Sequence, residues 1–239
     1  MKISVCLATF NGELYIYEQI NSILSQLSEM DEIIISDDGS SDKTLDIIND
    51  FKDKRLKVFS NQRMHGVVGN FSNAINHSTG DIIFLSDQDD IWMPDKVEKC
   101  VKALKNNDMV VHNASLVDKD GKSMGRDYFS SYHISTGFFN NLWRSGFLGS
   151  CMAFNRNSLM EFLPCPNNKI ILHDYWLFMS MAFNHKKIAC ITQPLIKYRR
   201  HEGTATNSGG KNQTTIWFKL YKRFGLLWLL IKRYWLKMK

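Results

Sequence analysis

The residues best suited to do chemistry form an acidic cluster, Asp87-Gln88-Asp89-Asp90, directly after the apolar run Ile82–Ser86. Two carboxylates about 4 Å apart repel by roughly 4 kcal/mol at an effective dielectric near 20, and a divalent cation converts that repulsion into binding. Hard oxygen ligands suit Mg²⁺ or Mn²⁺, and magnesium commonly takes one or two carboxylates plus phosphate oxygens. The pattern predicts a metal–diphosphate site, and the alternative is a solvated acidic turn capping a helix near Pro94.

Two further polar turns follow predicted strands near the start of the chain. Thr9 and Asn11 follow the first strand, and the turn at 37–41, with two consecutive aspartates, follows the second. Ligands of open α/β sheets bind beyond the carboxyl ends of the strands, so all three turns are expected to converge on one crevice. A carboxylate in the second turn can accept a hydrogen bond from the imide N–H of uracil or thymine, and Thr9 and Asn11 can contact the base or ribose. The alternative for the second turn is helix capping alone.

The second half of the chain supplies two more candidate groups. Asp174 precedes a predicted helix and could serve as the general base that sugar transfer to a hydroxyl needs, or merely as the helix N-cap. His201 follows Arg199 and Arg200, which suggests a segment facing a diphosphate with His201 as an extra metal ligand. The alternative is a structural or surface histidine.

Apolar runs alternate with segments of helical periodicity through the first hundred residues, at intervals of roughly 25 residues. This alternation predicts an open α/β sheet with right-handed crossovers, and the runs have the continuous apolar character of strands buried on both faces. The second half is less regular. The predicted strands are 3–8, 32–36, 56–59, 82–86, 109–112, 150–154, 188–191 and 195–198, and the predicted helices are 13–27, 45–51, 68–76 and 175–183.

Composition narrows the class of protein. The 239 residues, 44% hydrophobic and 23% charged, suit a globular chain with a sizeable core. Five cysteines without a C-x-x-C pattern argue against a disulfide scaffold or zinc ribbon and favour a reducing cytosol. The net charge of +6 arises in the segment after Glu202, which holds eight basic residues and no acid, so the remaining body is slightly negative and no nucleic-acid partner is expected.

The C-terminal segment combines aromatic, leucine and basic residues. A polar stretch at 206–215 predicts a linker, and from Ile216 onward the apolar stretches are too short to span a bilayer. Aromatics mixed with lysine and arginine favour a helix lying in an anionic membrane interface. The alternative is a helix docked on the body with its basic face solvated.

Five segments carry a resemblance to a known family. The first three resemble motifs of glycosyltransferase family 2, and the last two resemble later motifs of its bacterial rhamnosyltransferase-like members. The similarity covers residues 1 to about 205, and its strength lies in the order and spacing of the motifs together. The segments are Ser4–Gly12 (SVCLATFNG), Ile35–Asp42 (ISDDGSSD), Leu85–Pro94 (LSDQDDIWMP), His173–Trp176 (HDYW) and Tyr198–His201 (YRRH).

The resemblance implies a GT-A fold, with a Rossmann-like, mostly parallel sheet flanked by helices, and an inverting mechanism. It implies that Asp38 meets the base, Asp87 lies near the ribose and metal, Asp89 binds Mn²⁺ or Mg²⁺, and Asp174 is the catalytic base. Residues 1–100 are expected to form the nucleotide-sugar-binding half, 101–205 the acceptor-binding half, and 206–239 a linker and basic amphipathic tail. The Gln-x-x-Arg-Trp motif of processive members is absent from the sequence, which favours addition of one sugar at a time.

The expected function is therefore transfer of one sugar from a nucleotide diphosphate donor, dTDP-rhamnose or a UDP-hexose, to a glycan hydroxyl. A lipid-linked intermediate of a cell-surface polysaccharide such as O-antigen or capsule is the expected acceptor, which places the protein in the cytoplasm, peripheral on the inner face of the cell membrane. The alternatives are a catalytically inactive sugar- or membrane-binding relative and a sugar nucleotidyltransferase. The sequence lacks the glycine-rich signature of the latter, and it also lacks dinucleotide-binding and P-loop glycine motifs.

Overall fold

A computed structural model describes residues 1–132, 134–143, 146–166, 170–201 and 215–237. Nine strands form one sheet in the order β3-β2-β1-β4-β8-β6-β9-β5, with β7 paired to β6. The strands are β1 Ile3–Thr9, β2 Glu32–Asp37, β3 Leu56–Ser60, β4 Ile82–Asp87, β5 Ile91–Trp92, β6 Met109–Val117, β7 Ser123–Asp127, β8 Met152–Asn155 and β9 Ile188–Arg199.

The first half of the sheet is parallel, as expected from the alternation of strands and helices. β3, β2, β1 and β4 run in the same direction. β8 then pairs antiparallel to both β4 and β6, while β9 runs parallel to β6 and antiparallel to β5. The mixed half begins where the regular alternation in the sequence ends.

The central strands read as unbroken apolar runs because each of their faces contacts a different part of the core. In β1, Val5 and Leu7 pack into the cluster that contains Ile16 and Ile20, whereas Cys6 packs with Phe71 on the opposite side. Burying both faces keeps the strands rigid up to their carboxyl ends, where the polar turns begin.

Nine α-helices and one 3-10 turn, Gly149–Cys151, complete the described part of the chain. The strands predicted at 188–191 and 195–198 are one strand, because register shifts on both sides of the Asn113–Pro194 pair absorb the proline without ending the pairing with β6. The helices are α1 Ile16–Leu24, α2 Thr44–Asp50, α3 Val67–His77, α4 Lys96–Leu104, α5 Tyr128–Ser131, α6 Phe138–Trp143, α7 Arg156–Met160, α8 His173–Phe183 and α9 Ile216–Lys237.

The C-terminal helix α9 packs on the body through Leu226 and Leu230, which are 0% and 2% exposed and join the core cluster around α8. Most of the predicted linker, 206–214, lies outside the described residues. Within the ranges that the structure describes, no helix is both long and apolar enough to cross a bilayer.

Candidate active site

The carboxyl ends of β1, β2 and β4 open onto a cavity of about 490 Å³, which α3 and the start of α8 line from the other side. Five of the seven residues proposed from the sequence line it: Thr9, Asp38, Asp87, Asp89 and Asp174. They come from four separate segments of the chain. The predicted convergence of the polar turns on one crevice is thus present in the fold.

Gln88, to which the sequence analysis assigned no role, ties the first turn to the acidic cluster. Its Oε1 accepts hydrogen bonds from Thr9 Oγ1 at 2.6 Å and from Phe10 N at 2.9 Å, and its Nε2 donates to Phe10 O at 3.0 Å. A Cβ at position 12 would lie 2.3 Å from the same Oε1, so Gly12 leaves the space in which Gln88 sits.

Asn11 joins the first turn to the second. Its N donates to Ser40 Oγ at 2.9 Å, and its Oδ1 accepts from Ser41 N at 2.8 Å. Asn11 is not among the described residues that line the cavity, and its contact with a nucleotide stays a prediction. In the structure it fixes the position of the turn that carries Asp38.

Asp38 lies at the cavity wall, where its side chain is 12% exposed. Its Oδ1 accepts from Asn61 Nδ2 at 2.7 Å and lies 3.0 Å from His65 Nδ1, and its Oδ2 accepts from Gly66 N at 2.7 Å. A carboxylate offers about four lone-pair sites, so these three contacts orient the group and leave capacity to accept a hydrogen bond from a ligand.

The acidic cluster crowds three carboxyl groups together, of which Asp90 is buried and Asp87 and Asp89 are partly exposed. Burial, followed by the carboxylates of Asp89 and Asp174, raises the pKa of Asp87 to about 7. Asp90 is 1% exposed, and burial together with Asp89 and Asp87 raises its pKa well above the usual range. A divalent cation relieves this kind of crowding, whereas a solvated turn would not create it.

The end of β9 reaches the cluster from more than 100 residues further along the chain. His201 Nε2 lies 2.8 Å from Asp89 Oδ2. Arg199 donates from Nε to Asp89 O at 2.9 Å and from its backbone N to Asp90 Oδ1 at 3.2 Å. Its guanidinium also forms a salt bridge with Glu18 at 2.6 Å and is 3% exposed, so Arg199 supports the cluster from behind instead of facing the cavity.

A fully buried lysine, Lys96 of α4, lies behind the cluster. Its Nζ donates to Ser150 O at 2.8 Å and is 3.8 Å from the centre of the Trp92 ring. Burial lowers the pKa of Lys96 to about 8, although the nearby carboxylates of Asp90 and Asp87 act in the opposite direction. Lys96 thereby holds the 3-10 turn, whose Gly149 lines the cavity, at a position where its charge acts on Asp87 and Asp90.

Asp174 lies in the first turn of α8, with its Oδ1 accepting a hydrogen bond from Tyr175 N at 2.6 Å. The N-cap position belongs to Leu172, so the interpretation of Asp174 as the N-cap is wrong: the helix begins at His173, earlier than its apolar periodicity indicates. His173 is 4% exposed and stacks on Phe71 with ring centroids 4.1 Å apart. The stack fixes the start of α8 against α3.

Gly149 sets the spacing of this wall. An added Cβ would lie 2.8 Å from His173 Nε2 and 3.5 Å from Asp174 Cβ. We expect Gly149→Ala to lower kcat by about tenfold or more, because it displaces the first turn of α8 and small misplacements of reacting groups are costly. Steady-state kinetics checks this, with Gly137→Ala as control, since a Cβ there would contact its neighbours at 3.5 Å or more. A Gly149→Ala enzyme with wild-type kcat would contradict the placement of reacting groups on the first turn of α8.

The donors present fit a metal that binds together with a diphosphate. Within the described ranges, no group of three or more His, Cys, Asp or Glu side chains is arranged to hold a metal ion. The side chains of Asp89 and His201 are 2.8 Å apart, and Asp87 lines the same cavity as Asp89. A site with so few protein ligands suits Mg²⁺ or Mn²⁺ if phosphate oxygens complete the shell.

Comparison with known proteins identifies the family. The sequence model described as Glycosyl transferase family 2 matches residues 4–163, more than half of the chain. The chain belongs to this family. The matched segment includes Thr9, Asp38, Asp87 and Asp89, whereas Asp174 and His201 lie beyond it.

Two family members with named activities are similar over most of the chain. The dTDP-rhamnosyl transferase RfbG of Shigella flexneri is 31% identical over 235 residues, covering 92% of this chain and 78% of its own. The UDP-Glc:alpha-D-GlcNAc-diphosphoundecaprenol beta-1,3-glucosyltransferase WfgD of Escherichia coli is 25% identical, covering 90% and 83%. An uncharacterized glycosyltransferase of Nostoc is 29% identical, and the chain spans 65% of its length.

Solved structures establish the fold. TarS of S. aureus in complex with UDP-GlcNAc superimposes with a TM-score of 0.68 at 20% identity, covering 85% of this chain and 60% of that one. Glucosyl-3-phosphoglycerate synthase of Mycobacterium tuberculosis, crystallised with Mn²⁺ and UDP, gives a TM-score of 0.58 at 19% identity, covering 84% and 72%. The predicted GT-A fold, with a C-terminal helix, is confirmed.

Sequence reasoning missed Asn70 of α3, which is 4% exposed, donates from Nδ2 to Thr9 O at 3.0 Å and lines the cavity. Asn70 and Gly66 follow β3 as the predicted site residues follow β1, β2 and β4. Their position after a strand could have identified them. They were missed because neither residue is titratable, and sequence reasoning favoured acidic and basic side chains.

Asp38→Asn is expected to raise the KM for the nucleotide sugar by about 10- to 100-fold while kcat changes by less than about threefold. A hydrogen bond to a charged group is worth about 1.5–3 kcal/mol, and its loss acts on donor binding in both the ground and the transition state. Initial rates over a range of donor concentrations measure the effect. Asp46→Asn, at an exposed position on α2, is the matched control, and an unchanged KM in Asp38→Asn would exclude the predicted role.

Proposed function

We propose that this chain is an inverting, non-processive glycosyltransferase that moves one sugar from a nucleotide diphosphate donor to a hydroxyl of a glycan acceptor. The observation that carries the proposal is the meeting of Asp38, Asp87, Asp89 and Asp174 around one cavity. Three of these residues lie at or just after the carboxyl ends of strands, where a nucleotide diphosphate would lie, and the fourth comes from α8 in the proposed acceptor half. The cavity of about 490 Å³ suits a ligand of nucleotide-sugar size.

Asp174 is the proposed catalytic base. The acceptor O–H gives its proton to the Asp174 carboxylate as the oxygen forms a bond to the anomeric carbon. The bond from that carbon to the diphosphate breaks, and its electron pair leaves with the nucleoside diphosphate. Attack from the face opposite the leaving group inverts the anomeric centre, and one displacement needs no covalent intermediate on the protein.

Asp89 and His201 are the proposed holders of Mn²⁺ or Mg²⁺, with Asp87 between the metal and the ribose. When bound, the cation supplies Lewis-acid stabilisation of the negative charge on the diphosphate. Arg199 keeps the backbone of Asp89 in place through its bond to Asp89 O. Thr9 and Asp38, which line the same cavity, are the proposed contacts of the nucleoside, and the sugar would then face Asp174.

The donor is proposed to be dTDP-rhamnose or a UDP-hexose, and the acceptor a sugar linked through a diphosphate to a polyprenol. The names of the Shigella and Escherichia relatives, which specify a dTDP-rhamnosyl transferase and a diphosphoundecaprenol-linked acceptor, support these classes. A product of this kind would belong to a cell-surface polysaccharide such as O-antigen. The protein would then act in the cytoplasm, peripheral on the inner face of the membrane, with its basic tail against anionic lipid.

A transfer assay tests the proposal. Purified full-length protein is incubated with Mn²⁺, each candidate donor, and a short-chain polyprenyl-diphosphate sugar, and release of nucleoside diphosphate and the mass of the lipid product are followed. We expect one donor to give a product heavier by a single sugar. NMR of that product is expected to show an anomeric configuration inverted relative to the donor. Absence of turnover with every donor, while the donors still bind, would instead favour a catalytically inactive relative.

A further inference from the structure

Helix α9 presents a continuous aromatic and apolar stripe to solvent. Its six residues recur at intervals of four and three, which places them on one face of the helix. All six are between 47% and 81% exposed. The stripe consists of Trp217, Tyr221, Phe224, Trp228, Ile231 and Trp235.

The same helix is attached to the body by different residues. Leu226 and Leu230 are buried against the cluster around α8. Arg223 donates to the carbonyl oxygens of Leu142 and Trp143, both at 2.9 Å, and Arg233 donates to Glu161 O at 2.9 Å. Since these contacts hold the helix in place, the stripe is not needed for attachment to the body. Membrane contact and docking on the body are therefore compatible.

Charge decides which partner fits the stripe. Exposed Lys232 lies beside it, with its Nζ 5.0 Å from the centre of the Trp228 ring, and no acidic residue follows Glu202 in the sequence. A second copy packed along the stripe would bring the two Lys232 side chains and two basic helices together, with no acidic residue in α9 to compensate them. An anionic lipid surface neutralises them, and large aromatic side chains between basic ones are typical of helices that lie in the interface.

The helix also contacts α8 close to its first turn, which lines the cavity. Lys222 Nζ is 4.8 Å from the centre of the Tyr175 ring, next in sequence to Asp174. Burial lowers the pKa of Lys222, and the Asp174 carboxylate acts in the opposite direction, as expected for groups that are near each other. The first turn of α8, which carries Asp174 and lines the cavity, therefore lies next to α9.

We propose that the stripe of α9 inserts into the interface of an anionic bilayer and so brings the Asp174 end of the cavity to the membrane surface. This inference rests on the proposed function, because it assigns the stripe the task of delivering the enzyme to a membrane-embedded acceptor. It divides α9 into one face that holds the helix to the body and one that binds lipid.

Vesicle co-sedimentation of the full-length protein tests the inference. The protein is mixed with phosphatidylglycerol–phosphatidylcholine vesicles or with phosphatidylcholine vesicles alone. The stripe variant carries Trp217→Ser, Phe224→Ser, Trp228→Ser and Trp235→Ser, and the control carries Met30→Ser and Met124→Ser at exposed positions on the body. We expect the wild type and the control to bind anionic vesicles equally. The stripe variant is expected to bind them at least about tenfold more weakly. Equal binding by the stripe variant would overturn the inference.

Two further measurements keep that result interpretable. Lys232→Ala leaves the stripe intact and is expected to weaken binding to anionic vesicles specifically, with Lys219→Ala, on the opposite face of α9, as the control. Unchanged binding by Lys232→Ala would contradict the charge argument. Sedimentation velocity reports self-association. If the wild type were a dimer and the stripe substitutions made it a monomer without loss of vesicle binding, the stripe would be a protein interface. That result would contradict the proposal.

Activity separates failure of this inference from failure of the proposed function. The stripe variant is expected to keep Mn²⁺-dependent transfer to a water-soluble acceptor and to lose about tenfold or more with an acceptor embedded in vesicles. Equal rates of the variant and wild type on the embedded acceptor would refute the delivery role. A wild type that turns over no donor would instead refute the proposed function, and the vesicle-binding result would stand by itself.

Discussion

Asp174→Asn is expected to lower kcat by about 10³-fold while donor affinity stays within about threefold of wild type. A positioned general base contributes about 10²- to 10⁴-fold, and an asparagine side chain cannot accept the acceptor's proton. The replacement keeps the size of the side chain and an Oδ1 atom, so the hydrogen bond from Tyr175 N at 2.6 Å can persist. Rates from a transfer assay and donor affinity from calorimetry give the two quantities separately.

The matched control is Asp118→Asn, an aspartate in the β6–β7 turn that accepts from Asp120 N and Lys122 N and does not line the described cavity. It is expected to retain wild-type kcat. If Asp174→Asn kept more than about a third of the wild-type kcat, another group would have to accept the proton. A parallel loss of donor affinity would instead point to a role in donor binding.

Asp89→Ala is expected to weaken Mn²⁺ binding in the presence of nucleoside diphosphate by at least about 100-fold, and to abolish most transfer at micromolar Mn²⁺. Substitution of groups that merely orient metal ligands costs about 10- to 100-fold in affinity, so loss of a ligand should cost no less. His201, 2.8 Å from Asp89, is expected to show a smaller effect when changed to alanine, because a carboxylate offers the harder oxygen ligand.

Asp90→Asn provides the contrast within the same cluster. Asp90 is 1% exposed, accepts from Arg199 N at 3.2 Å, and is not a described lining residue of the cavity. Its replacement is expected to alter stability more than Mn²⁺ affinity, measured by thermal unfolding and metal titration. A wild-type Mn²⁺ affinity in Asp89→Ala, together with a large loss in Asp90→Asn, would reverse the assignment of the two carboxylates.

The parallel half of the fold and the strand-end residues could be predicted because their signals are local. Apolar runs such as Ile82–Ser86 indicate buried strands, and polar turns immediately after them lie at one edge of a parallel sheet. Thr9, Asp38, Asp87 and Asp89 were placed in one crevice by that logic, and all four line the cavity. Their individual roles remain predictions.

The other strands and the other residues near the site depend on contacts between distant segments, which a local sequence pattern does not contain. β7 is a strand because it pairs with β6, although four of its five residues are exposed and it shows no apolar alternation. Lys96 has the sequence character of a solvated helix residue, yet it is fully buried behind residues far along the chain. Gly149 matters through its distance from His173, which only the folded structure supplies.

The orientation of the C-terminal helix on the body also could not be predicted from the sequence. Its aromatic and basic composition suggested either a membrane helix or a docked helix, and these were treated as alternatives. The spacing of Leu226 and Leu230 against that of Trp217, Phe224 and Trp228 separates two faces, but the sequence does not tell which face contacts the body. The buried and exposed fractions in the folded chain make that assignment.

The central claim is that the cavity binds a nucleotide sugar together with a divalent cation. Thermal unfolding of the full-length protein with a panel of dTDP- and UDP-sugars, with Mn²⁺ or with EDTA, tests it directly. Ligand at about 100 times its Kd adds about 2.7 kcal/mol, equivalent to a rise in Tm of roughly 5 to 10 °C for a chain of this size. We predict such a rise for at least one donor with Mn²⁺ and little or none in EDTA. No rise with any donor, or an equal rise in EDTA, would contradict the account.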